Sequence, residues 1–141
     1  MQVETILQSK GRAVTTVTAG STIAEAVELL NTKKIGAVVV VDGKKVVGIL
    51  SERDVVRHLG KDWAGLADRP VGDVMTKAVV SVSRFATIAD VMERMTEKRI
   101  RHMPIVENGD LVGIVSIGDV VKRKIEETEQ EAIALKEYIA S

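Results

Sequence analysis

The chain has 141 residues, with 20 basic and 20 acidic side chains and no cysteine. Zero net charge argues against a general nucleic-acid binder, and the missing cysteines exclude disulfides and thiolate-bound metals. Apolar residues make up 45% but aromatics only 2%, so we predict a core of Val, Ile, Leu, Ala and Met. No apolar run approaches eighteen residues, and no basic start leads into an apolar segment. We therefore expect a cytoplasmic protein that does not enter a membrane.

The sequence contains an internal repeat. Shifted by 65 residues, 21–57 align without a gap with 86–122, and 14 of the 37 pairs are identical. The identical pairs include Gly48 and Gly113, Ser51 and Ser116, and Asp54 and Asp119. Matched polar residues in a gapless run predict two copies of one supersecondary unit, related by an approximate two-fold axis within the chain.

Each copy opens with a predicted strand and helix. The strands are predicted over 14–17 and 79–82. Helices are predicted to begin at Thr22 and Thr87, because apolar residues then recur at a spacing of three or four.

A hairpin and a second helix complete each copy. Its strands are predicted over 37–41 and 46–50 in the first copy, and over 103–106 and 111–115 in the second. The dipeptides Asp42-Gly43 and Asn108-Gly109 separate them, and both favour a tight turn. A further helix is predicted to follow Ser51 and Ser116, which makes the unit β-α-β-β-α.

These elements predict a mixed α/β (α+β) fold with two β-α-β-β-α repeats packed sheet to sheet. We assign 1–62 to the first repeat, 63–75 to a linker punctuated by Pro70, and 76–124 to the second repeat. Residues 125–141 form a C-terminal extension of a long helix whose apolar residues are spaced by three or four. This helix is expected to pack on the body or on a partner subunit.

The sequence lacks the common catalytic motifs. It has no Gly-rich phosphate loop, no nucleophile elbow and no pair of histidines at metal-ligand spacing. We therefore expect no enzymatic activity, no catalytic or metal-binding residues and no obligatory cofactor.

Two repeated polar pairs are the candidate functional residues. Ser51 and Asp54, like Ser116 and Asp119, lie where a strand ends and a helix begins. A capping box explains this pattern without any ligand. A helix N-terminus also offers free N–H groups to phosphate, and an aspartate can accept two ribose hydroxyls. Both interpretations remain open on this pattern alone.

Basic residues suited to a phosphate lie near these pairs. They are Arg12 and Lys77 before the first strands, Arg101 and His102 at the second central strand, and Arg53 in the first helix start. The counterpart of Arg53 is Gly118, which leaves space. Each cation also has a simpler interpretation, as a solvated charge, a partner of a nearby acid or, for His102, a packed strand residue.

The repeat resembles the CBS domain, and the pair resembles a tandem CBS module (Bateman module) of the stand-alone bacterial type. The resemblance rests on 22–26 and 87–91, on 100–106, and on the segments 47–57 and 112–119 that contain the Gly, Ser and Asp pairs. It implies a regulatory module that binds adenine nucleotides such as AMP, ADP, ATP or NAD, or S-adenosylmethionine, in two clefts. It also implies a homodimer.

The resemblance also implies roles for individual residues. Asp119 and Asp54 would hold ribose hydroxyls, while Ser116 and Ser51 would cap the helices and approach phosphate. The predicted base pockets comprise Thr76, Lys77, Ala78 and Val79 in one cleft, and Arg12, Ala13 and Val14 in the other. Arg101, His102 and Arg53 would contact phosphate, and Pro104 is a further candidate for ligand contact.

The two clefts are not equivalent in sequence. The first copy has Gly36, Ala37 and Val39 where the second has Arg101, His102 and Pro104. We therefore predict that the Asp119 cleft is the better site, with Arg53 reaching across the approximate two-fold axis.

Two functions follow as hypotheses. The first is a regulatory module that binds AMP, ATP or NAD and senses energy or redox state, with a regulated protein as partner. The alternative is a ligand-free structural or interaction module that acts through dimerisation and the C-terminal helix.

Overall fold

The chain alternates helices and strands in two similar halves, and the computed structural model describes residues 1–141. The helices are Val3–Lys10 (α1), Ile23–Lys33 (α2), Glu52–Leu59 (α3), Ile88–Lys98 (α4) and Ile117–Ala140 (α5). The strands are Thr16–Val17 (β1), Ala37–Asp42 (β2), Lys45–Ser51 (β3), His102–Glu107 (β4) and Asp110–Ser116 (β5). Two short 3-10 helices, Leu66–Asp68 and Val71–Asp73, lie between α3 and α4. No helix is both long and apolar enough to cross a membrane.

The strands form a sheet in the order β1-β2-β3-β5-β4. The hairpin of β2 and β3 is repeated by the hairpin of β4 and β5, each with a register shift at the same place in the repeat. The two hairpins meet at a single register pair, Lys45 opposite Asp110, and the Lys45 Nζ lies 2.7 Å from Asp110 Oδ1. Each half of the sheet is therefore nearly independent of the other in its backbone hydrogen bonding.

Local sequence signals account for the helix starts and the hairpin turns. Thr22 and Thr87 cap α2 and α4 by accepting the backbone N–H three residues on, at 3.2 and 3.1 Å. Gly43 and Gly109 have φ of 63° and 83°, a region in which glycine avoids a side-chain clash. These features confirm the predicted helix starts and turns.

Each half has a buried core. The linker before the second repeat packs in the core of the first half, and α1, which precedes the first repeat, packs in the core of the second half. In the first half the core includes Leu66, Val71 and Val74 from the predicted linker. In the second half it includes Val3, Ile6 and Leu7 from α1. Because about sixty residues bury too little surface to fold securely alone, this exchange ties the two repeats into one molecule.

The first strands are shorter than the sequence predicts. The strand predicted over 14–17 is reduced to β1, and the one predicted over 79–82 is reduced to a single bridge between Val82 and Ile105. The chain after Val82 pairs instead with the start of α1, where Val3 N–H donates to Ala86 O at 2.9 Å.

The predicted fold class is confirmed: a mixed α/β fold of two similar halves, with the strands in one five-stranded sheet and a long C-terminal helix. That helix begins directly at the Ser116 cap, so the predicted extension at 125–141 continues the second helix of the repeat. Val120 is its one buried residue, and every residue from Thr128 onward is exposed. The division at residues 62, 75 and 124 remains a prediction, since the packing of α1 and of the 3-10 helices crosses it.

Candidate functional site

The site begins with Asp54 in the first turn of α3. Asp54 is 5% exposed and forms a capping box with Ser51. Its Oδ2 accepts the Ser51 N–H at 3.0 Å and the Ser51 hydroxyl at 3.1 Å. The capping interpretation is therefore correct. The capping box uses only Oδ2 of the carboxylate, so Oδ1 is left for other partners.

The other edge of Asp54 faces a cavity between the two repeats. Thr76 Oγ1 donates to Asp54 Oδ1 at 3.1 Å, and Arg57 Nη1 lies 3.8 Å from the same oxygen. Thr76 is held there by its backbone, because its N–H and carbonyl both bond to Ile49 in β3. A carboxylate has about four acceptor sites, so Oδ1 can accept a further hydroxyl from the cavity.

The cavity beside Asp54 has a volume of about 320 Å³, the lower end of the range for small-molecule sites, about 300–1,000 Å³. The first repeat supplies one wall and the end of α4 with the start of β4 supplies the other. The charged lining residues are Glu52, Arg53, Asp54, Arg57, Lys98, Arg99 and Arg101. Five cations face two carboxylates, and His102 adds an imidazole, so the cavity is suited to an anion.

Arg53 joins the two walls. Its guanidinium Nη1 donates to Arg99 O at 3.1 Å, across the approximate two-fold axis. Arg99 has a left-handed φ of 55° as the C-cap of α4, which turns the chain toward the cavity. A ligand in this cavity would therefore contact groups whose positions depend on both repeats.

His102 lies between the two helix starts and over Gly36. A β-carbon at Gly36 would lie 2.8 Å from His102 Cε1, so the absence of a side chain creates the space for the ring. Burial lowers the pKa of His102, as do the Lys10 and Arg101 charges, while the Glu52 and Asp119 carboxylates oppose the shift. The imidazole is therefore held mainly neutral at neutral pH.

Replacing Gly36 with alanine is expected to move the His102 ring out of this space. Because the ring would become more hydrated, the pKa of His102 should rise toward its ordinary value. A proton NMR titration measures this shift, and Gly20→Ala is a matched control because open space surrounds Gly20. An unchanged His102 titration in Gly36→Ala would contradict the proposed packing.

The Asp119 cleft has the same cap and a different partner. Asp119 Oδ2 accepts the Ser116 N–H at 2.8 Å and lies 2.6 Å from Lys10 Nζ. Lys10 also donates to Ile114 O at 3.1 Å. The adjoining cavity has a volume of about 190 Å³, which is below the usual range for small-molecule sites.

The charge of Lys10 affects the acidity of Asp119. Partial burial alone would raise the pKa of Asp119, but the hydrogen bond and charge of Lys10, with the Ser116 N–H, outweigh it and lower the pKa. The stability from this pair is thus present above the unfolded-state pKa and is lost as pH falls through the folded value.

The structure groups the predicted residues differently from the expectation. Ser51, Asp54, Thr76, Arg53, Arg101 and His102 line one cavity, the one at Asp54. The comparison of the two copies in sequence predicts that the side chains of Arg101 and His102 belong to the Asp119 cleft. Although β4 pairs with β5 beside Ser116, these side chains reach across to the first repeat.

Eight other predicted residues line neither cavity: Arg12, Ala13, Val14, Lys77, Ala78, Val79, Pro104 and Ser116. The Arg12 guanidinium forms an ion pair with Glu4 instead, which lowers the pKa of that carboxyl. Pro104 is buried in β4 opposite Ile114. Their roles toward a ligand remain predictions.

Six cations of the clefts were not among the predicted site residues: Lys10, Arg57, Lys98, Arg99, Lys122 and Arg123. Lys98 and Arg99 belong to the basic run that ends α4, and this run before the central strand was a usable signal. Arg57 is three residues after Asp54, a spacing that places two side chains on one helix face. Lys10 carried no local signal, because only tertiary packing brings α1 to the second repeat.

The model of the CBS domain family matches residues 10–61 and 71–126. The chain belongs to the CBS domain family. The two matched segments correspond to the two repeats, so the molecule is a CBS pair, as the sequence predicted.

Individual relatives agree with this assignment. The mitochondrial CBS domain-containing protein CBSX3 of Arabidopsis thaliana is 32% identical over 143 residues, covering 95% of this chain and 69% of that protein. The crystal structure of the CBS-domain containing protein ATU1752 from Agrobacterium tumefaciens is 45% identical with a TM-score of 0.84. That match covers 88% of this chain and 99% of the other.

A more distant structure shares the fold and carries ligands. It is the CBS domain pair of protein MJ0100, in complex with 5'-methylthioadenosine and S-adenosyl-L-methionine. The identity is 24% and the TM-score 0.77, over 86% of this chain and 98% of that one. At this identity the likeness concerns the fold.

Proposed function

We propose that this CBS pair is a regulatory module that binds a phosphorylated adenosine ligand, AMP, ATP or NAD, in the cavity at Asp54. The observation that carries the proposal is a buried carboxylate beside a cluster of cations in one cavity of sufficient size. Asp54 Oδ1 would accept a ribose hydroxyl, and the cations contributed by the second repeat would contact phosphate.

The charge of the cavity favours phosphate over an uncharged or cationic adenosine derivative. Arg53, Arg57, Lys98, Arg99 and Arg101 all line it. Arginine forms paired hydrogen bonds with phosphate oxygens, and charge-assisted bonds are about twice as strong as neutral ones. A sulfonium group, as in S-adenosylmethionine, would be repelled by the same cluster.

The regulatory role follows from the position of the cavity between the repeats. A ribose held by Asp54 and a phosphate held by Arg101 would connect side chains from both halves. The only register pair between the two hairpins is at Lys45 and Asp110, so a change in their relative angle breaks few backbone bonds. A ligand that binds one arrangement better would shift the population toward it, and a regulated partner protein could respond.

A thermal-shift panel tests the proposed function. The panel contains adenosine, AMP, ADP, ATP, NAD and S-adenosylmethionine, with GTP as the control for nonspecific binding of phosphate. A ligand at 100 times its Kd adds about 2.7 kcal/mol of stability, so a clear rise in Tm is expected with a phosphorylated adenine compound. Equal shifts with GTP, or none with any nucleotide at millimolar concentration, would contradict the proposal.

A second candidate function is a ligand-free module that acts through protein contacts as a homodimer. An apolar groove of about 1,100 Å³ between α2 and α3 favours it, since 11 of its 16 lining residues are hydrophobic. Trp63 on this groove is 80% exposed, and α5 presents Leu135 and Ile139, 59% and 74% exposed. A panel without any thermal shift would favour this candidate.

A further inference from the structure

The two clefts of the pair differ in the partner of the aspartate. In the first repeat the neutral hydroxyl of Thr76 donates to Asp54 at 3.1 Å. In the second the ammonium of Lys10 lies 2.6 Å from Asp119 Oδ2. Under the 65-residue shift Thr76 aligns with Gly11, which has no side chain, so the preceding residue supplies the contact.

We infer that Lys10 is a built-in occupant of the Asp119 cleft, so that each chain binds one nucleotide, at Asp54, rather than two. This inference rests on the proposed function. Ribose hydroxyls would have to compete for Asp119 with an ammonium at 2.6 Å, whose full charge adds a coulombic attraction to the hydrogen bond. At Asp54 they compete with the Thr76 hydroxyl at 3.1 Å, and the nearest cation, Arg57, lies farther away, at 3.8 Å.

Lys10 is held in the cleft by the helix that carries it. Val3, Ile6 and Leu7 of α1 are 0%, 4% and 1% exposed within the core of the second repeat. Gly11, at φ 97°, ends the helix with its N–H donating to Leu7 O, so Lys10 is the last residue of a fixed element. Its second hydrogen bond, to the Ile114 carbonyl on β5, further restricts the position of the Lys10 side chain.

The surroundings of Asp119 also disfavour a nucleotide. The cavity beside Asp119, of about 190 Å³, is lined by α1 and α5 alone, whereas residues of both repeats line the cavity of about 320 Å³ at Asp54. Under the 65-residue shift, Gly118 of the second repeat aligns with Arg53 of the first. Gly36 and Ala37 of the first repeat align with Arg101 and His102 of the second. The cleft therefore lacks both the bridging cation and the phosphate-facing pair.

Isothermal titration calorimetry with AMP, ATP and NAD in separate titrations tests the inference by stoichiometry. The full-length protein is expected to bind one nucleotide per chain, and Lys10→Met is expected to bind two or to gain a second, weaker phase. Lys122→Met is the matched control, because Lys122 lines the same cavity and forms no bond with Asp119. It should keep a stoichiometry of one.

The outcomes separate the two proposals. Two nucleotides per wild-type chain, or one in both wild type and Lys10→Met, would overturn the role of Lys10 and leave the proposed function standing. No binding in either protein would overturn the proposed function. The ion pair is then tested without ligand by a double-mutant cycle of Lys10→Met and Asp119→Asn in urea. A favourable coupling is expected, and zero coupling would overturn the inference.

Discussion

Replacing Asp54 by alanine is expected to weaken nucleotide binding by about 10- to 100-fold. A hydrogen bond to a charged group contributes about 1.5–3 kcal/mol, and the ribose would lose one such bond. The capping box is lost as well, so the protein should also lose about 0.5–2 kcal/mol of stability. Calorimetry measures the affinity, and urea denaturation measures the cost of the cap.

Asp119→Ala is the matched control for this prediction. Asp119 occupies the same position of the same capping box in the other repeat, so the loss of the cap is reproduced. Because Asp119 already bonds to Lys10, nucleotide affinity should stay within about threefold of wild type while stability falls similarly. Equal losses of affinity in both variants would mean that the nucleotide contacts both carboxylates.

Replacing Leu7 by alanine is expected to cost about 2–5 kcal/mol of the free energy of unfolding, the usual range for a buried leucine. Leu7 is 1% exposed and covers Gly113, where a β-carbon would lie 2.7 Å from Leu7 Cδ2. The residue belongs to α1 but fills the core of the second repeat. The loss therefore tests whether the exchanged segment is a structural part of that repeat.

Urea denaturation measures this loss, and Val56→Ala provides the control. Val56 lies on α3 and is 67% exposed, so its truncation should change stability by no more than about 0.5 kcal/mol. If Leu7→Ala were equally mild, α1 would contribute little to the core of the second repeat.

The elements that local chemistry specifies were predictable. Thr22 and Thr87 are side-chain caps, and Gly43 and Gly109 supply positive φ in the hairpin turns. Such signals act over three or four residues, so they can be found without knowing the fold. The internal repeat made the overall architecture predictable as well, because two similar sequences adopt similar folds.

The composition of the candidate site was less predictable, because it depends on which repeat a side chain reaches. Asp54 and Ser51 were identified by their cap. The cleft that Arg101 and His102 line could not be identified in this way, because a residue at the start of a strand can reach either side of the approximate two-fold axis. His102 enters the first repeat because Gly36 leaves the space, a contact between residues 66 positions apart.

The sequence by itself determined the two similar repeats, their capped helix starts and their membership of the CBS family. These depend on periodicity, short motifs and a gapless internal match. Only the tertiary structure decided that α1 packs on the second repeat and that the cations gather at Asp54. It also decided that Lys10, 109 positions away along the chain, bonds to Asp119. The physical reason is that long-range packing is set by the shape and burial of whole elements, for which no single residue carries a signal.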